Sequence, residues 1–238
     1  MPHDPPKLLV VLPVFNEEAS ITSVIHPWFE ALQSEVGDFV ILAIDDGSVD
    51  KTPQLLARLR DELGPRLECR SRPNRGHGQT CIEGYREAIE RGIPFVFQID
   101  SDGQCDPAFF SSFWKLRQNH DVIYGMRKRK DGYRRMIAST ILKWALRAGF
   151  GVRCPDANVP YRLMNVETCR AAIERIPCDF TLANIALAVE LARQPSIREG
   201  RIPIIFRPRH GGEPSVPLSK FALRAMELFR QLRTMEKT

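Results

Sequence analysis

Two of the strongest apolar runs in this chain end in acids. Phe39-Val40-Ile41-Leu42-Ala43-Ile44 runs into Asp45-Asp46-Gly47-Ser48, and Pro94-Phe95-Val96-Phe97-Gln98-Ile99 runs into Asp100-Ser101-Asp102-Gly103. A third run, Lys7 to Val14, leads into Phe15-Asn16-Glu17-Glu18. Short apolar runs bounded by turn residues read as strands buried on both faces, the kind found in parallel sheets. Their polar ends then gather at the carboxyl edge of the sheet, where ligands sit in such folds. Helical spacings fill the intervals: Glu17–Leu32 with Asn16 as its N-cap, Thr52–Leu63, about Gly78–Arg91, and a helix through Phe109–Leu116. A weak strand near Leu67–Arg70 and a short one at Asp121–Gly125 complete this part. The rhythm predicts an α/β fold, a mostly parallel sheet with helices on both faces.

Past Gly125 the pattern changes. Met126–Arg135 is a cationic loop, Met136–Phe150 a helix, 151–163 a loop, 166–175 and 181–193 helices. Arg201–Pro208 reads as a late strand, and His210–Pro217 is rich in breakers. The last segment, Leu218–Met235, has helical amphipathicity. Leu218, Phe221, Ala222, Ala225, Leu228, Phe229, Leu232 and Met235 share one face, and Lys220, Arg224, Glu227, Arg230 and Gln231 the other. These features divide the chain into one α/β domain, residues 1–216, and a basic amphipathic tail, residues 217–238, whose apolar face either closes onto the sheet as the last helix of the domain or lies on an anionic membrane or a membrane subunit.

Composition excludes several classes. With 43% hydrophobic residues among 238, there is enough apolar material to offset chain entropy, so disorder is not expected. The six cysteines form no Cys-x-x-Cys pair and have no metal-ligand spacing with histidine. Zinc and a disulfide framework are therefore not expected, and the compartment is reducing, hence cytoplasmic. Met1–Lys7 does not read as a signal peptide, and Leu8–Phe15 falls short of the roughly 18 residues a membrane span needs. Thirty-four Lys plus Arg against 29 Asp plus Glu leaves a formal charge of +5. That excess is mild and suits an anionic substrate. Nucleic acid is not an expected partner, because neither a helix-turn-helix nor an aromatic RNA platform is visible.

Asp100 and Asp102, one residue apart on an extended chain, would project the same way. Converging carboxylates repel unless a cation lies between them. A hard divalent ion, held by few carboxylates and by substrate phosphates, fits; a solvated turn capping the next helix is the alternative. In a parallel sheet the three acid-bearing loops meet, so Pro13, Phe15, Glu17, Asp46, Asp100 and Asp102 would share one cleft.

Four motifs then stand in order: Pro13-Val14-Phe15-Asn16-Glu17-Glu18, Asp45-Asp46-Gly47-Ser48, Asn74-Arg75-Gly76-His77-Gly78 and Asp100-Ser101-Asp102-Gly103-Gln104. With them the chain resembles the family 2 glycosyltransferases, which have the GT-A (Rossmann-like) fold. Gly125-Met126-Arg127, Arg134-Arg135 with Ser139, Asp156, Tyr161-Arg162-Leu163 and Phe206-Arg207-Pro208-Arg209 followed by Gly212 and Ser215 resemble polyprenyl- or dolichyl-phosphate sugar synthases. The match departs where Val159-Pro160-Tyr161-Arg162 replaces Ser-Gly-Phe-Arg, where a residue is added between Gly212 and Ser215, and at Val216, where a lysine is usual. The transmembrane helices of some members have no counterpart.

The resemblance implies an inverting transferase that moves a sugar from a GDP- or UDP-sugar to a polyprenyl phosphate or other lipid-linked acceptor. It implies that Pro13, Phe15, Glu17 and Asp46 hold base and ribose, that Ser101 adjoins the same nucleotide-sugar, and that Asp100, Asp102 and Gln104 bind Mg²⁺ or Mn²⁺. Arg127, Arg135 and Arg209 would take the acceptor phosphate, with Arg134 as an alternative to Arg135; the arginine fork suits phosphate, although a solvated basic loop is the plainer reading. Asp156 is the candidate base for a hydroxyl acceptor, or else a helix-loop cap. His77 reads as an exposed residue at a helix start, with lining of the sugar-donor side, alongside Gln79, as its alternative. Cys105 and Phe109, Phe110, Phe113 and Trp114 read as core. Two other readings stay open: a family 2 transferase acting on a saccharide hydroxyl, and a non-catalytic nucleotide-sugar-binding subunit of a membrane complex. The expected setting is cytoplasmic, peripheral at the membrane face through the tail and the Arg127–Arg135 loop, with a membrane subunit as a further partner.

Overall fold

The computed structural model describes residues 6–127, 147–149, 151–152, 159–177, 180, 183–194, 196–207 and 230–231. Arg134, Arg135, Ser139, Asp156, Arg209, Gly212 and Ser215 lie outside them. So do most of the expected helix 136–150 and the tail helix, of which only Arg230 and Gln231 are described, as helical.

The strands are β1 (Leu8–Val14), β2 (Phe39–Asp45), β3 (Leu67–Ser71), β4 (Phe95–Gln98), β5 (Val122–Arg127), β6 (Arg162–Asn165) and β7 (Glu199–Ile204). The helices are α1 (Ile21–Glu35), α2 (Thr52–Leu63), α3 (His77–Glu90), α4 (Phe110–Leu116), α5 (Val166–Ile173) and α6 (Ala183–Ala192). All seven strands form one sheet in the order β3-β2-β1-β4-β6-β5-β7. β1 and β2 are buried at every position, as unbroken apolar runs require.

Register assigns the helices to faces. Val10 lies opposite Phe97 and Val11 opposite Gln98, so alternate residues of β1 and β4 share a face. Trp28 of α1 and Phe110 and Phe113 of α4 stack around Phe97, which places α1 and α4 on one face. Gly84 of α3 lies against Val11, and Tyr85 bonds to Gln98, which places α3 on the other. A Cβ at Gly84 would meet Val11 Cγ2 at 2.8 Å, so only glycine lets α3 settle this close to β1.

Three expectations need correction. Residues 162 and 163 were expected in a loop, yet Arg162–Asn165 forms β6, antiparallel to β4 and β5. Four residues with one buried arginine carry too little apolar periodicity to announce a strand. The late strand begins at Glu199 and stops at Ile204 instead of spanning Arg201–Pro208. It pairs only with β5, and an edge strand tolerates Pro203, whose missing N–H costs no second ladder bond. Finally, Asn16 is not the N-cap of α1. It has a φ of 52°, and the helix starts at Ile21 after Ser20. Asparagine tolerates the left-handed region, and its side chain is used across the cleft instead.

Candidate active site

At the carboxyl edge the loops after β1 and β2 are laced together. Asn16 N donates to Ser48 Oγ at 2.9 Å, and Val49 N donates back to Asn16 Oδ1 at 2.9 Å. Glu17 N donates to Thr52 Oγ1 (2.8 Å), Glu18 N to Asp50 Oδ2 (3.1 Å), and Lys51 N to Glu18 Oε2 (3.0 Å). Burial would raise the Asp50 carboxyl, but its bonds from Thr52 and Glu18 outweigh that and hold it below the usual aspartate range. Phe15 projects from this rim, 46% exposed, while Pro13 is buried within β1.

The loop after β4 is tied to the first one. Ser101 Oγ donates to Pro13 O at 2.8 Å, and Ser20 Oγ lies 2.6 Å from Glu17 Oε2 and 3.0 Å from Ser101 O. Glu17, Ser20 and Ser101 are buried, so this polar knot is fixed in a water-poor place. The loops after β1 and β4 thus meet, as the parallel topology requires, through Pro13, Glu17 and Ser101.

Asp46 is buried and fully engaged. Its Oδ1 accepts from Arg75 N at 2.9 Å and lies 2.6 Å from Arg72 Nη1, and its Oδ2 accepts from Gly76 N at 2.8 Å. Arg72 continues to Glu83 (2.8 Å) and Thr80 Oγ1 (2.8 Å). Gly47 follows with a φ of 79°, and a Cβ there would meet Asn74 N at 2.8 Å, so the Asp45-Asp46-Gly47 turn and the Asn74–Gly76 loop can touch only through glycine.

Asp100 and Asp102 occupy a turn. β4 stops at Gln98, so strand alternation does not govern their directions. Asp102 Oδ1 accepts from Gln104 N at 3.0 Å, closing the turn, and Asp100 Oδ1 is 3.1 Å from His77 Nε2. His77 opens α3 with its side chain 52% exposed, as expected for a helix start, but it is also drawn to this carboxylate. Gln104 is joined to the chain leaving β7: Arg207 N donates to Gln104 O at 3.0 Å, and Gln104 Nε2 reaches Arg207 O at 3.5 Å. Arg207 also pairs with Asp106 at 2.7 Å.

An aromatic floor supports this turn. Trp28 Nε1 donates to Cys105 O at 3.2 Å, and Tyr161 O–H donates to Asp106 O at 3.0 Å. Burial pushes the Tyr161 phenol well above its usual range, which keeps it a donor. Cys105, Phe110, Phe113 and Trp114 are buried, with Phe109 packed at the margin, in keeping with their reading as core.

Arg127 ends β5 opposite Ile204 of β7, so its backbone arrives at the same edge, beside the start of the Arg207 segment. Sequence reasoning missed Ser20, Arg72 and Asp106, and it quoted Arg207 within the Phe206–Arg209 motif without giving it a role. A serine ahead of a helix and an arginine just past a strand are too common to single out.

Among the described residues no three His, Cys, Asp or Glu side chains converge as a metal site. Among the described residues, Asp100 and Asp102 are the two carboxylates that this turn offers. All-oxygen donors in that number fit Mg²⁺ or Mn²⁺ when substrate phosphates complete the shell.

A mostly parallel sheet with acid-bearing loops at its carboxyl edge defines a GT-A domain. The chain belongs to glycosyl transferase family 2, whose profile it matches over residues 9–163. It is 28% identical over 244 residues to the uncharacterized glycosyltransferase YkoT of Bacillus subtilis, covering 92% of this chain and 66% of that one, just under two thirds of it. It is 26% identical over 220 residues to the undecaprenyl-phosphate mannosyltransferase of Micrococcus luteus, covering 87% and 86%. In fold it is similar to glucosyl-3-phosphoglycerate synthase from Mycobacterium tuberculosis, solved with Mn²⁺, UDP and phosphoglyceric acid. The TM-score is 0.69 at 18% identity, with 97% of this chain and 78% of that chain covered. Among the described residues no helix is long and apolar enough to cross a membrane.

Proposed function

We propose that this protein transfers a sugar, with inversion, from a nucleoside diphosphate sugar to a phosphate-bearing acceptor, and that the acceptor is a polyprenyl phosphate. The observation that carries the reading is the Ser101 knot, which fastens the Asp100–Asp102 turn to Pro13 and, through Ser20, to Glu17. It fastens the loops after the first and fourth strands, and Glu17 N to Thr52 Oγ1 adds the loop after the second, so little reorganisation accompanies charge development.

An oxygen of the acceptor phosphate attacks the anomeric carbon on the face opposite the diphosphate. The new C–O bond forms as the bond to the leaving diphosphate breaks. That phosphate is already largely dianionic at neutral pH, so no strong base is required. Asp100 and Asp102, with Gln104, would hold Mg²⁺ or Mn²⁺, a Lewis acid that would supply neutralisation of the departing diphosphate's charge. Phe15 and Glu17 border the nucleoside, while Asp46 supports it by holding the Arg75–Gly76 amides. Arg127 from β5, joined by Arg135 and Arg209, receives the acceptor phosphate.

The Micrococcus relative supports the lipid acceptor by its name, and the mycobacterial structure, with phosphoglyceric acid, supports a soluble one. Both carry phosphate, the shared chemistry an arginine fork recognises. The test offers UDP- and GDP-sugars with Mn²⁺ to either acceptor, followed by organic extraction. Label in the organic phase with undecaprenyl phosphate supports the lipid reading. Label confined to water with phosphoglycerate replaces it, and no transfer to either acceptor refutes it. Residues 1–216 act as the catalytic domain in this reading and 217–238 as a peripheral anchor; vesicle flotation should then show binding to anionic vesicles that about 0.5 M salt releases.

A further inference from the structure

A line of polar side chains runs from the core to Asp100 and has no part in the reaction as drawn. Tyr85 O–H donates to Gln98 Oε1, and Gln98 Nε2 donates to Cys81 Sγ at 3.5 Å. Cys81 Sγ lies 3.8 Å from His77 Nδ1 and 4.0 Å from Nε2, and His77 Nε2 lies 3.1 Å from Asp100 Oδ1. Tyr85, Gln98 and Cys81 are each 0% exposed. Tyr85, Cys81 and His77 are spaced by four on α3 and so share one stripe of that helix. Gln98 is the last residue of β4, from which the Asp100 turn departs.

The bonds have a direction. Burial keeps the Tyr85 phenol protonated and so able to donate; its O–H goes to the Gln98 amide oxygen, and the amide nitrogen is turned toward Cys81. The Cys81 sulfur accepts there and sits beside the His77 ring. The ring nitrogen that faces Asp100 is Nε2, whose N–H donates to the carboxylate.

We propose that His77 is a positioning residue for Asp100, holding the carboxylate in the orientation that takes a divalent cation, with Tyr85, Gln98 and Cys81 fixing the ring. Partners of this kind govern metal affinity nearly as much as the ligands themselves. The inference rests on the reading of Asp100 under the proposed function.

The experiment titrates Mn²⁺ into the full chain with UDP and, separately, with GDP, reading bound ion by electron paramagnetic resonance. His77→Ala should weaken apparent Mn²⁺ affinity on the order of 10–100-fold. Metal-free nucleotide binding and the unfolding midpoint should stay as in the wild type, because the side chain is half exposed. His77→Gln, which keeps an N–H donor, should recover much of the loss. In an Asp100→Asn background His77→Ala should cost nothing more, since coupled residues are not additive. Wild-type affinity in His77→Ala overturns the proposal, as does an undiminished loss in the Asp100→Asn background. Nitrogen hyperfine coupling that disappears in His77→Ala overturns it too, by making the ring a direct ligand. If the wild type binds no Mn²⁺ with either nucleotide, the metal reading itself fails and this inference with it.

Discussion

The loops after β1 and β2 trade hydrogen bonds residue by residue over Asn16–Glu18 and Ser48–Thr52, whereas the β5–β7 side reaches the same edge through Arg207 and Tyr161. The first set joins the strand-to-helix loops of two neighbouring parallel strands, so its polar groups find partners within the same edge. The second is threaded through an antiparallel strand, β6, and its links to the Asp100–Asp102 turn span 103 residues at Gln104–Arg207 and 55 at Asp106–Tyr161. A rigid side suits the nucleotide part of a substrate that every reaction of this kind shares. The other side, in the proposed reaction, is the one the acceptor meets. Near the turn the two sides meet, and perturbations there should separate them.

The largest expected effect is at that meeting point. Asp102→Ala should lower turnover by roughly 10²–10³, the size of losing one strong electrostatic contribution to a transition state. Its cost in folding should be far smaller than its cost in rate, the bond to Gln104 N contributing about 1 kcal/mol. Full activity in metal-stripped protein would contradict the role given to this carboxylate.

Next comes packing beneath the nucleotide side. Gly84→Ala forces a methyl against Val11 and should cost about 1–3 kcal/mol, read from the urea midpoint. Metal-supported nucleotide binding should fall with it, because α3 carries His77 and the Asn74–Gly76 loop precedes it. An unchanged midpoint would mean that α3 can slide on β1.

A smaller effect should be confined to the other side. Arg127→Lys keeps charge and loses the planar fork, so the acceptor KM should rise about tenfold, or roughly 1.4 kcal/mol. Nucleotide-sugar affinity should hold. The reverse pattern would move Arg127 to the nucleotide side.

Legibility in the sequence follows the same division. β1, β2 and α2 stood at their observed residues because apolar runs and helical spacing were unbroken there. That the loops bearing Pro13, Glu17 and the Asp100–Asp102 turn meet followed from parallel topology, while Ser101, which ties them, came only with the family resemblance. β6 was hidden because its burial comes from neighbours, Arg162 included, and not from its own pattern. Asn16 was misassigned because a good N-cap residue is equally good at a positive φ, and only the distant Ser48 and Val49 decide between the two. The engagement of Asp46 with Arg72, and of Asp100 with His77, depends on where loops from different strands end, which spacing along one chain does not encode.

The smallest expected effect is a pH dependence that should differ between the two sides. On the nucleotide side Glu87 pairs with Arg70 at 2.5 Å and Arg91 at 2.6 Å, joining α3 to β3. The Arg70 bond first, then Arg91, holds the Glu87 carboxyl below the usual glutamate value of 4.5, although burial opposes the shift. On the other side Asp121 pairs with Arg198 at 2.7 Å, which holds it below the usual aspartate value of 3.8. A carboxyl depressed in the folded state stabilises above its unfolded pKa, and that stability is lost as pH falls through the folded one. The Glu87 contribution is therefore complete above about pH 4.5 and the Asp121 contribution above about pH 3.8, each fading below. Arg198 is 60% exposed on its side chain, so solvent screens that pair, while Glu87 is only 16% exposed and has two partners. Acid titration of the unfolding free energy should accordingly flatten more in Glu87→Gln than in Asp121→Asn. Glu87→Gln should also be less stable than wild type at pH 7 and converge with it in acid. Equal flattening in the two variants would mean that the edge at β3 is no better fastened than the edge at β7, and the contrast between the two sides would then be confined to the loops.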